Sequence, residues 1–265
     1  MYQDLIGKRF GRLTVTSFSH KDKKHVYWNC LCDCGGDRIS SSGNLIHGGN
    51  KSCGCLIYNK VRRVQYDEDF FTDIDTREKA YLLGLFVADG SLGVYRQSGV
   101  LSEFYFVSKD KELVELFKTH LRFDGTIGQR KDSVAFYIAI HSKKIGLDLS
   151  LLGIDNNKSR TAVYPRLTKS LDSHFVRGVL DGDGWVSSHA GYLGRRDPSA
   201  GICGTEALIT SINSRLPRPC YMGVSVGCWR LICSHKKARE NLEWMYQNSE
   251  GLRLDRKYKN FLLWR

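Results

Sequence analysis

The sequence lacks a long apolar run, a secretory leader and an excess of acidic residues. Its longest apolar runs, such as residues 80–88, are too short to span a bilayer as a helix. The N-terminus carries an acid at Asp4 and no apolar segment follows it, unlike a signal peptide. With 42% hydrophobic and 26% charged residues, the chain is neither disordered nor fibrous in character. We therefore expect an intracellular protein that has no membrane partner.

Basic residues outnumber acidic residues in the sequence. The 265 residues include 40 Lys and Arg against 28 Asp and Glu, a formal charge of +12. Residues 1–66 hold 11 basic and 4 acidic side chains, so +7 of this charge lies in the first quarter of the chain. The length suits two domains. The charge favours a polyanionic partner such as nucleic acid, although many basic proteins have none.

Nine cysteines fall into two groups. The first comprises five residues within a short stretch: Cys30, Cys32, Cys34, Cys53 and Cys55. An odd total without a leader argues against a disulfide framework, and such a cluster is typical of a zinc site. The spacing favours Cys32, Cys34, Cys53 and Cys55 as ligands of a structural Zn²⁺, with Cys30 as an alternative. The second group, Cys203, Cys220, Cys228 and Cys233, has no close spacing, and Cys228 and Cys233 are predicted to be small buried residues of a strand.

Two segments nearly 100 residues apart repeat each other. An apolar helix that opens near Asp75 ends at Asp89-Gly90, and a second one from Leu171 ends at Asp183-Gly184. Strand-like and helix-like stretches follow both in the same order. The sequence therefore predicts an α+β fold of tandem α-β-β-α-β-β-α repeats with pseudo-two-fold symmetry. The predicted organisation is a zinc module (1–57), a linker (58–74) and two half-domains (75–165 and 166–265).

The helix ends carry the chemistry. Aligning the two segments matches Gly84 with Gly178 and Asp89 with Asp183. A glycine inside a helix costs about 1 kcal/mol relative to Ala, and close helix–helix approach is a reason to keep it. Two helices packed in this way bring both carboxylates to neighbouring C-termini, where the helix dipole disfavours an anion. A divalent cation reverses that preference, because it accepts carboxylate and carbonyl oxygens.

The two segments resemble the paired motifs of the LAGLIDADG homing endonucleases, over roughly residues 67–265. The matching stretches are Leu82-Leu83-Gly84-Leu85-Phe86-Val87-Ala88-Asp89-Gly90 and Val176-Arg177-Gly178-Val179-Leu180-Asp181-Gly182-Asp183-Gly184. The resemblance implies a monomer whose saddle-shaped antiparallel sheets straddle double-stranded DNA at a long, specific site. It also implies catalytic Mg²⁺, replaceable by Mn²⁺ and, without cleavage, by Ca²⁺. Its ligands would be the carboxylates of Asp89 and Asp183 and the carbonyls of Ala88 and Gly182.

The resemblance departs from the family pattern at one position and extends to further residues. Val87 stands where the motif has an earlier, supporting acid, a place that Asp181 fills in the second copy. Lys158 and Lys257 match the basic residue near each cleavage site; the alternative is that they are solvated surface lysines. For DNA contacts we expect side chains at strand ends, either on bases or on phosphates: Arg96, Gln97, Gln129, Arg130, Arg195 and Arg196.

Residues 1–57 resemble the zinc-binding module of phage-type mobile endonucleases, on Gly7–Val15, Trp28, Cys32–Gly35 and Ser52–Cys55. This implies added DNA affinity and a bacterial or phage-infected host, with the protein in cytoplasm or nucleoid. The predicted function is site-specific double-strand DNA cleavage that mobilises the protein's own gene or intron. Two alternatives remain. One is a catalytically silent scaffold, an RNA maturase or a DNA-binding regulator, and the other is a zinc enzyme, which an all-thiolate site disfavours.

Overall fold

The computed structural model describes residues 3–33, 35–54, 64–95, 100–187, 199–225 and 227–263. The chain divides into two compact units, Met1–Val64 and Gln65–Arg265. Among the described helices, none combines the length and apolarity that a membrane crossing requires.

The first unit is a small antiparallel sheet with one short helix. Its strands pair in sequence order: β1 (Arg9–Phe10), β2 (Leu13–Lys21), β3 (Val26–Cys32) and β4 (Asp37–Ser41). Helix α1 (Ser42–Ile46) follows, capped by the Ser41 hydroxyl, which accepts from the Asn44 N–H. Alternate residues of β3 point inward, so Trp28, Cys30 and Cys32 pack with Leu13 and Val15 in the core.

The second unit contains two copies of one arrangement. The first copy comprises α2 (Arg77–Asp89), β5 (Gly90–Tyr95), β6 (Val100–Ser108), α3 (Lys111–His120), β7 (Gly128–Gln129), β8 (Phe136–His141) and α4 (Lys143–Leu151). The short α5 (Lys158–Thr161) leads to the second copy: α6 (Asp172–Asp183), β9 (Gly184–Ser187), β10 (Ser199–Gly204), α7 (Glu206–Asn213), β11 (Tyr221–Ser225), β12 (Cys228–Ser234) and α8 (His235–Tyr246). Helix α9 (Asp255–Leu262) follows.

Sheet topology is the same in both copies. The strand orders are β5-β6-β8-β7 and β9-β10-β12-β11, and every pairing is antiparallel. The motif helices α2 and α6 are buried over most of their length, which makes them the centre of the unit. Helix α2 has Thr76 as its N-cap and ends at Asp89 with Gly90 as its C-cap, at the predicted Asp89-Gly90 end. The predicted order of elements in the repeats agrees with this arrangement.

Two local features of the structure lie in the first unit and in the predicted linker. Gly11 adopts a φ of +62° and turns the chain between β1 and β2, so that Phe10 pairs with Leu13 across the turn. The predicted linker at 58–74 includes a residue that packs in the core. Phe71 is fully buried and packs against Phe86 and Phe104, so this part of the segment belongs to the second unit.

A disulfide also corrects the expectation for the second group of cysteines. Cys233 is buried as predicted, but it is bonded to Cys220. The strand register explains the pair, because Tyr221 of β11 faces Ile232 of β12, which places the preceding Cys220 opposite Cys233. The two Cα atoms lie 5.1 Å apart, within the usual range for a disulfide. Cys203 and Cys228 are free thiols.

Candidate active site

The two motif helices touch at their glycines. A Cβ atom placed on Gly84 would lie 2.2 Å from the Phe175 carbonyl oxygen, and one on Gly178 would lie 2.1 Å from that of Tyr81. The Cβ placed on either glycine would lie only 3.0 Å from the Cα of the other. Any side chain at these positions would force the helix backbones apart. The reason proposed for a mid-helix glycine, close approach of two helices, is thus visible at both residues.

The same crossing brings the two motif carboxylates to adjacent helix ends. Asp89 and Asp183 are the last residues of α2 and α6, and Gly90 and Gly184 are the C-caps. A Cβ on Gly182 would lie 2.3 Å from the Ala88 Cβ and 3.4 Å from Asp89 Oδ2, so the Asp89 carboxylate sits beside the end of the other helix.

Electrostatics at these carboxylates disfavour their ionised forms. Burial raises the pKa of Asp89 to about 6, and repulsion from Asp183 adds to the effect. Burial also raises the pKa of Asp183, against the attraction of Lys158 and Lys257. The site thus holds two hard-oxygen donors whose negative charge the protein does not fully neutralise. That combination suits a divalent cation, and the two predicted carboxylate ligands are brought together.

Each helix end also receives a lysine. Lys158 Nζ donates to the Val87 and Ala88 carbonyl oxygens of α2, both at 2.7 Å. Lys257 Nζ donates to three carbonyl oxygens at the end of α6, those of Leu180, Asp181 and Gly184, at 2.7–2.8 Å. These carbonyls carry the negative end of the helix dipole, so an ammonium group is favourable there.

The lysines are therefore not the solvated surface residues of the alternative interpretation. Lys257 is only 3% exposed and Lys158 is half-buried. Burial lowers the pKa of Lys257 to about 8 and also lowers that of Lys158. The two predicted carbonyl ligands differ in their contacts with these lysines. The Ala88 carbonyl accepts a hydrogen bond from Lys158, whereas the Gly182 carbonyl is not among those that Lys257 contacts.

Asp181 anchors a buried network that sequence reasoning did not foresee. Its Oδ2 accepts from the Tyr81 hydroxyl at 2.8 Å and from the Leu254 backbone N–H at 2.9 Å. Burial raises the pKa of this carboxyl to about 6, while the nearby Lys257 charge opposes the shift. Arg177, fully buried on the same helix, donates to the Leu252 and Met245 carbonyls. Tyr81 and Leu254 carry no periodic or motif signal that links them to Asp181.

The predicted DNA contacts are only partly within the description. Gln129 ends β7 and Arg130 follows it, and both are exposed. Arg96, Gln97, Arg195 and Arg196 lie outside the described residues. One further candidate is Arg230, which lies on the inner strand β12 opposite Cys203. Along β12, Arg230 precedes the buried residue Leu231, and Cys233 is buried two positions further on, so Arg230 lies on the opposite face of the strand. This alternation is the sequence signal that points to Arg230.

The predicted zinc ligands are also described in part. Cys32 and Cys53 pack at the same small core, and a tight turn follows Cys32, where the Gly35 N–H donates to the Cys32 carbonyl at 2.8 Å. Cys34 and Cys55 lie outside the description. Cys30, the alternative ligand, is buried, and its thiol donates to the Trp28 carbonyl. Within residues 3–33, 35–54 and the other described ranges, no three His, Cys, Asp or Glu side chains form a metal-holding group.

Known structures that resemble this chain define its class of fold. One is the I-LtrWI LAGLIDADG homing endonuclease bound to target DNA, at 14% identity and a TM-score of 0.50 over 74% of this chain and 90% of that one. Another is the meganuclease I-SmaMI bound to uncleaveable DNA with a TTGT central four, at 15% identity and a TM-score of 0.50 over 70% and 86%. No protein family and no curated protein matches the sequence. The predicted fold class is confirmed: the chain is folded like the LAGLIDADG homing endonucleases.

Proposed function

We propose that the protein is a site-specific double-strand DNA endonuclease, a homing endonuclease that hydrolyses one phosphodiester bond in each strand. The observation that carries the proposal is the pair of carboxylates, Asp89 and Asp183, at adjacent helix ends with a lysine hydrogen-bonded to the carbonyls of each end. Binding DNA alone does not require two carboxylates with raised pKa values at the adjacent ends of two helices. The structural neighbours were solved with DNA, which supports double-stranded DNA as the partner.

The residues at the helix ends fit a catalytic Mg²⁺. The Asp89 and Asp183 carboxylates would hold it, together with the Gly182 carbonyl and the Ala88 carbonyl that Lys158 now contacts. Bound there, the ion supplies charge stabilisation at the scissile phosphate and lowers the pKa of a coordinated water. The protein's own part is to hold both carboxylates in place through the Gly84–Gly178 contact. Lys158 and Lys257 would polarise the attacking water or offset phosphate charge.

The remaining parts of the proposal concern the first unit and the setting. Residues 1–57 form a structural zinc module with Cys32, Cys34, Cys53 and Cys55 as ligands, and this module adds electrostatic affinity for DNA. The protein acts as an intracellular monomer. An all-thiolate zinc site is closed, so zinc takes no part in catalysis. Removal of metals with a chelator and return of Mg²⁺ alone should therefore restore cleavage.

The test starts from a target duplex recovered by cleavage selection from a randomised library. We expect wild-type protein to cut it with Mg²⁺ and not with chelator. Asp89→Asn and Asp183→Asn should each lower the cleavage rate at least about a thousandfold while target binding measured in Ca²⁺ is retained, because transition-state charge stabilisation is lost. Asp132→Asn, an exposed loop acid, is the matched control and should cut normally.

Two outcomes would reject parts of the proposal. Cleavage that survives both aspartate substitutions would exclude the metal assignment. A wild-type protein that binds DNA or RNA but cuts no duplex with Mg²⁺ or Mn²⁺ would instead indicate the silent scaffold, a maturase or a regulator.

A further inference from the structure

The two lysines of the candidate site are held by unequal means. Lys158 lies in α5, a helix of four residues whose N-cap Asn157 makes no side-chain capping bond. Lys257 lies in the first turn of α9, a helix of eight residues, and its N–H donates to the Leu254 carbonyl at 3.0 Å. Lys257, at the end of α6, therefore belongs to a longer helix than Lys158, at the end of α2.

The N-cap residue of α9 is hydrogen-bonded to the motif helix α6. Leu254 is the N-cap of α9, and its N–H donates to Asp181 Oδ2 at 2.9 Å. The same oxygen accepts from Tyr81 of the other motif helix, and Leu254 is itself fully buried. Asp181, which is part of α6, thus contacts both the other motif helix, α2, and the start of α9. A charge-assisted hydrogen bond in a buried setting is among the stronger polar contacts available.

The equivalent position in the first copy has no such contact. Val87 stands where Asp181 stands in the second motif, and its apolar side chain cannot accept a hydrogen bond. The contact of Lys158 with Val87 is a hydrogen bond from Lys158 Nζ to the Val87 backbone carbonyl. Among the described residues, no side chain of the first motif therefore holds the backbone around Lys158 as Asp181 holds Leu254.

We propose that Asp181 is a positioning residue for Lys257, which makes the two cleavage centres unequal and lets a change at Asp181 slow one DNA strand selectively. The inference rests on the proposed nuclease function. Without the carboxylate, Leu254 loses the hydrogen bond that fixes the start of α9, and Lys257 Nζ shifts relative to the helix end. Shifts of about 1 Å in a catalytic group lower rates by as much as a hundredfold.

The experiment uses the full chain and the selected duplex with a different fluorophore on each strand. Lys257→Met and Lys158→Met first identify which strand depends on which lysine. Asp181→Val, which reproduces the Val87 of the first copy, should then slow the Lys257-dependent strand by about tenfold and the other by less than about twofold. Nicked product should accumulate as a result. In the Lys257→Met background, Asp181→Val should add no further loss on that strand.

A conservative variant and a matched control separate positioning from stability. Asp181→Asn keeps an oxygen that can accept from Leu254, and it should restore most of the balance between strands. Asp172→Val removes a buried carboxylate from the first turn of the same helix, where it accepts from the Tyr164 hydroxyl at 2.6 Å. This control should lower stability and leave the ratio of strand rates unchanged.

The outcomes distinguish the inference from the function on which it rests. If wild-type protein cuts both strands but Asp181→Val slows both equally, or slows the Lys158-dependent strand, the positioning role is wrong. If wild-type protein cuts neither strand, the proposed function fails first. Should Asp181→Val not fold, Asp181→Ala, whose side chain also lacks an acceptor, replaces it under the same criterion.

Discussion

The two copies of the repeat share a topology and differ at the helix ends. In the first copy the lysine is half-buried on a four-residue helix, and the motif has Val87. In the second, Lys257 is buried and contacts three carbonyls, and the motif has Asp181. The parts that set the distance between the carboxylates, Gly84 and Gly178, are the same in both. The comparison teaches that geometry at the crossing is symmetric whereas support of the lysines is not.

Further differences follow the same direction. The second copy contains the Cys220–Cys233 disulfide, whereas residues 75–165 contain no cysteine at all. The second copy is also followed by α9, which Arg256 links to Asp110 of the first copy through two hydrogen bonds at 2.8 and 2.9 Å. More of the constraint on the candidate site therefore comes from the C-terminal end of the chain.

The symmetric part of the comparison predicts the largest effect on stability. Gly84→Ala and Gly178→Ala each place a methyl group within 2.2 Å of a backbone oxygen of the facing helix. We expect each to lower the free energy of unfolding of the second unit by about 3 kcal/mol or more, because neither backbone can move without separating the helices. Chemical denaturation followed by tryptophan fluorescence measures both.

A symmetric crossing predicts equal losses in the free energy of unfolding for Gly84→Ala and Gly178→Ala, and this equality can be tested. Gly43→Ala in helix α1 is the control, because a Cβ there meets nothing within 4 Å, and it should be neutral or slightly stabilising. A loss at Gly178 that exceeds the loss at Gly84 by more than about 1 kcal/mol would show that the crossing is itself asymmetric.

The disulfide predicts the next effect, confined to the second copy. Bonding Cys220 to Cys233, 13 residues apart, restricts the unfolded chain. Replacing both with Ala should lower the free energy of unfolding by about 2–3 kcal/mol under non-reducing conditions and by much less in reductant. Hydrogen exchange should show the loss in β11 and β12 and not in β5 to β8. Equal stability of the wild-type protein in both conditions would mean that the bond does not form in solution.

The repeated elements are predictable from the sequence because their signals are local. Helix ends marked by Asp-Gly and alternating strands such as β12 depend on neighbouring residues. The pairing of Asp89 with Asp183 was also within reach, because two matched motifs imply two matched positions. The turn at Gly11 has no comparable signal, because a two-residue reversal interrupts an otherwise alternating segment.

Other features depended on contacts between distant residues. Tyr81 and Asp181 are 100 residues apart and meet only because the motif helices cross. The Cys220–Cys233 bond needs the strand register of a hairpin, and the burial of Lys257 needs the docking of α9. No pattern in the chain records these distances. The supporting role of Asp181 was expected from resemblance, but its partners were not.

The paired carboxylates predict a smaller effect that favours the substituted protein. Asp89 has a pKa of about 6 when folded and 3.8 as its ordinary value, so the folded protein binds this proton more tightly. Its ionisation therefore costs stability: the cost grows as pH rises from about 4 to 6 and is complete above 6. Asp89→Asn should raise the free energy of unfolding by about 1–2 kcal/mol at pH 7 in chelator.

That gain should vanish at pH 4, because protonation removes the buried charge and its repulsion from Asp183, and it should shrink when Mg²⁺ is added, because the cation offsets both. Thermal unfolding across this pH range measures it, with Asp183→Asn alongside to compare the two copies. A loss of stability at pH 7 in Asp89→Asn would show that the Asp89 carboxylate is not a source of strain in the metal-free protein.

The ion pair between Arg256 and Asp110 predicts the smallest effect and tests whether it, and not Asp181, holds α9. Hydrogen bonding to Arg256 lowers the pKa of Asp110, so this pair stabilises the fold above about pH 4, and the contribution is lost as pH falls further. The Arg256 side chain is 61% exposed, so Arg256→Gln should cost less than about 1 kcal/mol and less still in high salt. Strand-specific cleavage rates should remain balanced. A strand bias as large as that of Asp181→Val would assign the positioning of Lys257 to the exposed pair, because Arg256 and Lys257 are adjacent on one helix and any movement of that helix reaches both.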